Sequence, residues 1–171
     1  MGKRTLIALA LVAGLSFMIP LARANKAAQK AGKSPAAAMG AEVGAWTQDY
    51  DAALALAAEK DLPILLNFTG SDWCPWCVLM EEKVFTTETW GAWAKEHVVQ
   101  VFIDFPRDKT RVPMPYVVRN RKLQKQYDVE GYPTYIVLAA DGKTVLGRFG
   151  ASRTARPEKV IADIEAMLEA K

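Results

Sequence analysis

A chain of 171 residues, 51% hydrophobic and 24% charged, carries enough apolar side chain for one folded core and too little charge bias for a disordered polyelectrolyte. Its 22 Lys+Arg against 19 Asp+Glu leave a formal charge of +3, too small to mark a nucleic-acid binder. Two cysteines and one histidine are too few for a four-ligand zinc module.

The amino terminus begins with Lys3 and Arg4, continues through an uncharged run from Leu6 to Leu21 and reaches the small-x-small triplet Ala22-Arg23-Ala24. That pattern reads as a cleaved secretory signal, residues 1–24, with an uncleaved anchor as the competing reading. Pro20 just before the small residues favours cleavage, and no cysteine lies there to take a lipid. Losing Lys3, Arg4 and Arg23 leaves 19 basic against 19 acidic residues, so the mature chain is formally neutral. The expected address is a bacterial periplasm or another secreted location. No nucleic-acid partner and no stable membrane insertion after cleavage are expected.

Residues 25–44 are Ala, Lys, Gly, Ser and Pro with almost nothing large to bury, which predicts a flexible leader. Residues 45–171 suit one compact domain. Within it, Asp51 to Lys60 predicts a helix ended by Asp61-Leu62-Pro63. Ile64 to Phe68 predicts a strand buried on both faces, followed by the turn Thr69-Gly70-Ser71. Met80, Val84 and Phe85 place one apolar face on a helix after the cysteines, and Glu88 to Glu96 predicts another helix. Val98 to Asp104 is a second buried strand, and strand, helix, strand implies a parallel crossover. Phe105 to Pro115 reads as a loop, and Leu123 to Tyr127 as part of a helix beginning after it. Thr134 to Leu138, a turn at Ala140 to Lys143 and Thr144 to Phe149 predict a hairpin. Pro157 opens a closing helix whose apolar face is Val160, Ile161, Ile164, Met167 and Leu168. The expected order is α-β-α-β-α-β-β-α, an α/β class.

Both cysteines fall in Ser71-Asp72-Trp73-Cys74-Pro75-Trp76-Cys77, where a strand ends and a helix begins. Cys74 in a first helical turn faces unpaired backbone N–H groups and the positive end of the dipole, which favour thiolate. Cys77, one turn later, is close enough to displace a mixed disulfide formed at Cys74. Pro75 lacks the N–H that a first-turn residue leaves unpaired anyway. Trp73 and Trp76 offer a partner an apolar surface. Two other readings stay open: a copper(I) carrier using both thiolates with Met80, and a structural staple, although so short a loop removes little unfolded-state entropy.

The stretch Asp72 to Phe85, DWCPWCVLMEEKVF, resembles the thioredoxin superfamily, and more narrowly its exported members with a D-W-C-x-W-C motif followed by an acidic helix and V-F. Tyr127 to Thr134, YDVEGYPT, is similar to the family segment leading into a cis-proline, and Asp141-Gly142-Lys143 with Gly147 and Gly150 to the hairpin after it. The resemblance covers Ala45 to Ala170. It implies a thioredoxin-like fold, a central mixed β-sheet flanked by helices. It further implies a cis Tyr132-Pro133 bond against the cysteines, where Pro133 shapes the groove that docks a partner's backbone. From the residues alone, Pro133 would be a trans proline opening a strand. One departure stands out: where thioredoxin has a buried aspartate on the strand before its cysteines, this chain has Asn67. An amide cannot accept the proton released by Cys77, which argues against a general thioredoxin-type reductase. Glu81 or Glu82 could substitute through water, though solvation is the default role of a carboxylate on an exposed helix.

His97 reads as a helix-end surface residue, and Trp46, Trp90 and Trp93 as core or core-edge packing. Arg107, Lys109, Arg111, Arg119, Arg121, Lys122 and Lys125, against the single acid Asp108, read as a solvated face before they read as a partner site. The functional expectation is an exported thiol–disulfide oxidoreductase in which Cys74 and Cys77 form the working disulfide and Trp73, Trp76, Tyr132 and Pro133 contact the substrate. No cofactor and no metal is called for. Partners are protein thiols or disulfides and a redox partner protein, and the chain is expected to be a monomer. A Pro-aromatic pair between the cysteines resembles glutaredoxins and exported oxidases more than thioredoxin, leaning toward a more oxidising couple. The rival function is a non-enzymatic copper(I) carrier or a redox-inert adaptor.

Overall fold

The computed structural model describes residues 36–170. The signal-peptide reading of residues 1–24 and the first part of the leader, 25–35, lie outside them. In chain order the elements are β1 (Trp46–Thr47), α1 (Tyr50–Lys60), β2 (Ile64–Thr69), α2 (Pro75–Met80) running into a π-helical turn (Glu81–Phe85), and α3 (Glu88–His97). β3 (Val99–Asp104), a 3-10 turn (Lys109–Arg111), α4 (Met114–Gln126), β4 (Thr134–Leu138), β5 (Val145–Gly150) and α5 (Pro157–Glu169) complete the chain.

The five strands form one mixed sheet in the order β1-β3-β2-β4-β5. β2 pairs parallel with β3, Ile64 opposite Val99 through Thr69 opposite Asp104, and antiparallel with β4. β5 returns antiparallel to β4. Central strands have both faces covered, which is why β2 and β3 are continuously buried rather than alternating. One face carries Leu65, Phe102, Tyr135 and Val137 against Met80, Val84, Phe85, Trp90 and Ile164. The other carries Ile64, Leu66, Phe68, Val101 and Ile103 against Tyr50, Ala53, Ala57, Leu123 and Tyr127. Each fully buried large side chain contributes roughly 1.5–3 kcal/mol. The helix after the cysteines is therefore fastened to the sheet by Met80 and Val84.

The expected elements form, with differences at three places. β1 is an additional edge strand of two residues, too short to leave a periodic signal, with Trp46 opposite Gln100. α4 starts at Met114, one residue before Pro115, because proline is tolerated in a first helical turn. The described part of the predicted leader, 36–44, is bound to the domain. Ala37 N–H donates to Trp46 O at 2.9 Å, Gln48 N–H to Ala37 O at 2.8 Å, and the Thr47 hydroxyl to Gly40 O. Backbone and small polar groups make this attachment, so hydrophobic content did not foretell it.

Asp49 joins that segment to α1. One carboxylate oxygen accepts from Ala52 N–H at 3.1 Å as the helix N-cap, and the other from Gly40 N–H at 3.0 Å. The Gly40 bond leads in holding its pKa below the ordinary 3.8. Asp49→Ala is expected to cost about 0.5–2 kcal/mol at pH 7 in urea unfolding, the range of a lost N-cap. A folded pKa below the unfolded one gives stability that is present above about 3.8 and lost as pH falls through the folded value. The difference between wild type and variant should accordingly shrink below pH 4.

Candidate active site

At the carboxyl end of β2 the chain must turn from sheet to helix, and Gly70 permits the turn to be tight. Trp73 N–H and Cys74 N–H both donate to Gly70 O, at 3.2 and 2.9 Å. The Trp73 indole folds back over the glycine so closely that a Cβ there would lie 2.6 Å from indole Nε1. The indole N–H donates to Phe105 O at 2.8 Å, and the ring meets Tyr132 edge to face at 5.7 Å.

Cys74 occupies the N-cap of α2 and Pro75 its first helical position. The Cys74 Sγ accepts the Cys77 N–H at 3.2 Å and is joined to Cys77 in a disulfide, with Cα atoms 5.2 Å apart. The cap sulfur thus satisfies a backbone donor that the helix leaves free, and a thiolate there faces the positive end of the helix. Both cysteines are nearly covered, 4% and 5% exposed, whereas Trp73 and Trp76 are 36% and 40% exposed. The couple is thus reached past indole surface.

Two carboxylates fix the loop in front of the cysteines. Asp104, buried at the end of β3, accepts from Ser71 N–H at 3.0 Å and Ser71 hydroxyl at 2.6 Å. Burial pushes its pKa up, against the two Ser71 bonds. Asp72, exposed, accepts from Arg107 N–H at 2.9 Å and Asp108 N–H at 2.8 Å, and these bonds hold its carboxyl below the ordinary range, the Asp108 bond foremost.

The Tyr132-Pro133 peptide bond is cis, as the resemblance implied. Pro133 is buried, and Tyr132 packs against Phe105 as well as Trp73 while its hydroxyl accepts from Gln124 Nε2 at 2.9 Å. Trp73, Cys74, Cys77 and Tyr132 are brought together here. Trp76, between the two cysteines in the chain, has the Arg153 guanidinium 5.6 Å from its ring centre. Arg107 lies 5.9 Å from the ring centre of Trp73. Met80, weighed as a copper ligand, is packed in the core.

Behind Cys77 lies a cleft of about 270 Å³ lined by Thr69, Ser71, Cys77, Val78, Glu81, Glu82, Phe102 and Arg111. Glu81, expected to be solvated, is half-buried, and burial pushes its carboxyl up. Its carbonyl is the acceptor of the π-helical turn, receiving Thr86 N–H at 3.0 Å. Asn67 is buried on β2, and its Oδ1 has no hydrogen-bond partner among the described residues. His97 ends α3 at the surface, stacked on Trp93. Of the basic run, Arg119 is drawn in over Tyr116 at 4.0 Å, and the remainder is mostly exposed. Sequence reading did not find Gly70, Asp104, Phe105, Arg107, Gln124 or Arg153 as neighbours of the site. Their partners are mostly tens of residues away, and no local pattern carries such pairings.

The family model described as thioredoxin-like matches residues 45–140. The disulfide bond reductase DsbH of Chlamydia pneumoniae is 36% identical over 103 residues, 60% of this chain and 61% of that protein. The chain thus spans about three fifths of that relative's length. The solved structure of a DsbH oxidoreductase superposes with a TM-score of 0.66 and 29% identity, over 80% of this chain and 89% of that chain. A thioredoxin from Thermus thermophilus shares the fold at a TM-score of 0.55 and 22% identity, over 76% of this chain and 88% of its own.

The opposed effects on Asp104 set a pH test. A folded pKa raised above the unfolded value makes the site less favourable as pH rises through it. Wild type should therefore gain stability relative to Asp104→Asn, which does not titrate there, as pH falls from 7 toward 4. Urea unfolding of both proteins across that range checks this, and a difference moving the other way would contradict the assignment.

Proposed function

Because the chain belongs to the thioredoxin-like family, we propose that it is an exported thiol–disulfide oxidoreductase exchanging disulfides with protein or small-thiol partners through the Cys74/Cys77 couple. The observation that carries the reading is the position of Cys74, its sulfur capping α2 at 3.2 Å from the Cys77 N–H, bonded to Cys77 and flanked by exposed indoles.

In the reduced protein, the Cys74 thiolate attacks one sulfur of a partner disulfide. That S–S bond breaks, the released partner sulfur takes a proton from solvent, and a mixed disulfide remains on Cys74. Cys77 then loses its proton, attacks Cys74 Sγ and frees the partner's second sulfur as a thiol. Two electrons pass from the protein to the partner, whose two sulfurs gain one proton from solvent and the equivalent of the one lost by Cys77. No organic cofactor enters this sequence. Trp73, Trp76, Tyr132 and Pro133 supply the contact surface, and Cys74, whose sulfur caps α2, is the sulfur that attacks.

The relative DsbH is named a disulfide bond reductase, which supports electron flow from the couple to the partner. The Pro75-Trp76 pair supports a couple more oxidising than thioredoxin. The signal read in residues 1–24 supports export, and outside the cytosol such a reductase requires a redox partner protein to restore its dithiol. Among the described residues no helix is long and apolar enough to cross a membrane. We take the working unit to be a monomer, since both thiols are used within one chain.

Equilibrium titration of residues 25–171 in glutathione buffers, with free thiols counted by alkylation and mass, should give one reversible two-electron transition with a midpoint above about −270 mV, the value of thioredoxin. A midpoint at or below that value would overturn the oxidising lean, and absence of a reversible transition would overturn the oxidoreductase reading. Cys74→Ser should abolish exchange. Cys77→Ser should accumulate mixed disulfides with substrate, seen as mass adducts released by a reductant.

A further inference from the structure

The surface around the sulfurs carries an asymmetry of charge that the exchange chemistry does not use. Arg107 rests over Trp73 and Arg153 over Trp76, so one guanidinium stands beside each of the two exposed indoles that flank the couple. Both are anchored through their backbones. Arg107 N–H donates to Asp72, and Arg153 O accepts from Lys83 Nζ at 3.3 Å, which adds a third cation on the Trp76 side. Neither guanidinium forms an ion pair among the described residues. Arg111, also without an ion pair there, lines the cleft behind Cys77.

The nearby anions are differently placed. Both oxygens of Asp72 accept backbone N–H groups of Arg107 and Asp108, and Asp108 caps Thr110 through its N–H and hydroxyl at 3.0 and 2.7 Å. Asp104 is buried against Ser71, and Glu81 is drawn into the cleft. Glu82, on the cleft rim, is the exposed acid left over. The carboxylates near the couple are mostly committed to local donors, while the guanidiniums on the indoles form no ion pair among the described residues. An arginine stacked on an aromatic ring keeps its outward N–H donors free in a fixed fork suited to a carboxylate.

We propose that the preferred substrate is a protein disulfide in an extended segment bearing acidic side chains on both sides of its cysteine, one carboxylate for Arg107 and one for Arg153. This rests on the oxidoreductase reading and names its substrate class. Trp73 and Trp76 commit the occupant to a polypeptide. Their exposed faces, 36% and 40%, offer apolar contact of the kind that anchors a polypeptide.

The test uses the reduced chain and three peptides of one length containing a cysteine disulfide, flanked by Glu, by Gln or by Lys, with oxidised glutathione as a fourth substrate. Rates are expressed relative to the Gln peptide. At low ionic strength the Glu peptide should exceed the Lys peptide by about five- to tenfold, as expected for two solvent-facing charge pairs. The ratio should fall toward one as salt is raised. Arg107→Glu with Arg153→Glu should invert the order, and Arg107→Lys with Arg153→Lys should keep it, which separates charge from loss of packing on the indoles. Equal rates for the Glu and Lys peptides, an order unchanged by charge reversal, or oxidised glutathione outrunning the Glu peptide would each overturn the inference while leaving the oxidoreductase reading intact. No exchange with any of the four would overturn that reading and the inference with it.

Discussion

An α-helix begins with backbone N–H groups that have no partner inside it, and in this protein a sulfur takes one of them. The Cys74 cap governs what surrounds it. The chain must leave β2 in extended geometry, turn within a few residues and present Cys74 with non-helical angles, φ −94° and ψ 106°. Gly70 supplies the turn and leaves room for the Trp73 indole, and Pro75 enters the helix where its missing N–H does no harm. Asp104 and Asp72 hold the turn from two sides, through Ser71 and through the loop after β3. These bonds do not involve sulfur. Opening and closing of the disulfide therefore alters the couple without removing the clamps that position it.

The sheet makes that local arrangement rigid. β2 and β3 end side by side, with Thr69 opposite Asp104, so the turn carrying the cysteines and the loop carrying Phe105 and Arg107 leave the sheet together. The antiparallel neighbour β4 brings Pro133 and Tyr132 to the same edge, because Phe68 pairs with Thr134. Below the couple, Met80, Val84 and Phe85 lie in the core with Trp90 and Tyr135. The reactive group is small, and the surrounding framework is apolar and close-packed, which resists displacement. Positioning here is a property of strand register.

Much of this was legible in local sequence. Pro63, Pro75 and Pro157 mark boundaries by fixed physical rules, and continuous apolar runs marked β2 and β3. The motif around Cys74 and the segment before Pro133 allowed the fold and the cis bond to be expected from a resemblance. What stayed hidden has a common cause. β1 is two residues long, the docked segment 36–44 is held by backbone groups, and the Asp104–Ser71 and Trp73–Phe105 contacts join positions more than thirty residues apart. Glu81 shows the same limit in reverse. Its sequence neighbours are those of a surface helix, but the cleft beside Cys77 half-buries its carboxyl.

Asn67 and Glu81 together show how the site can keep the fold while altering its proton chemistry. A carboxylate at position 67 would lie in the sheet interior, where desolvation penalises the charged form and raises its affinity for a proton. The amide there is neutral at every pH and leaves an unpaired Oδ1 instead. The half-buried carboxyl on this side of the site belongs to Glu81, four residues past Cys77 and so on the same helical face, at the wall of a cleft. A group on the cleft wall exchanges protons with water more readily than one sealed in a sheet. The carboxyl that burial raises on this side of the site thus lies nearer the surface than an aspartate at position 67 would, while the strand geometry that holds Cys74 is untouched.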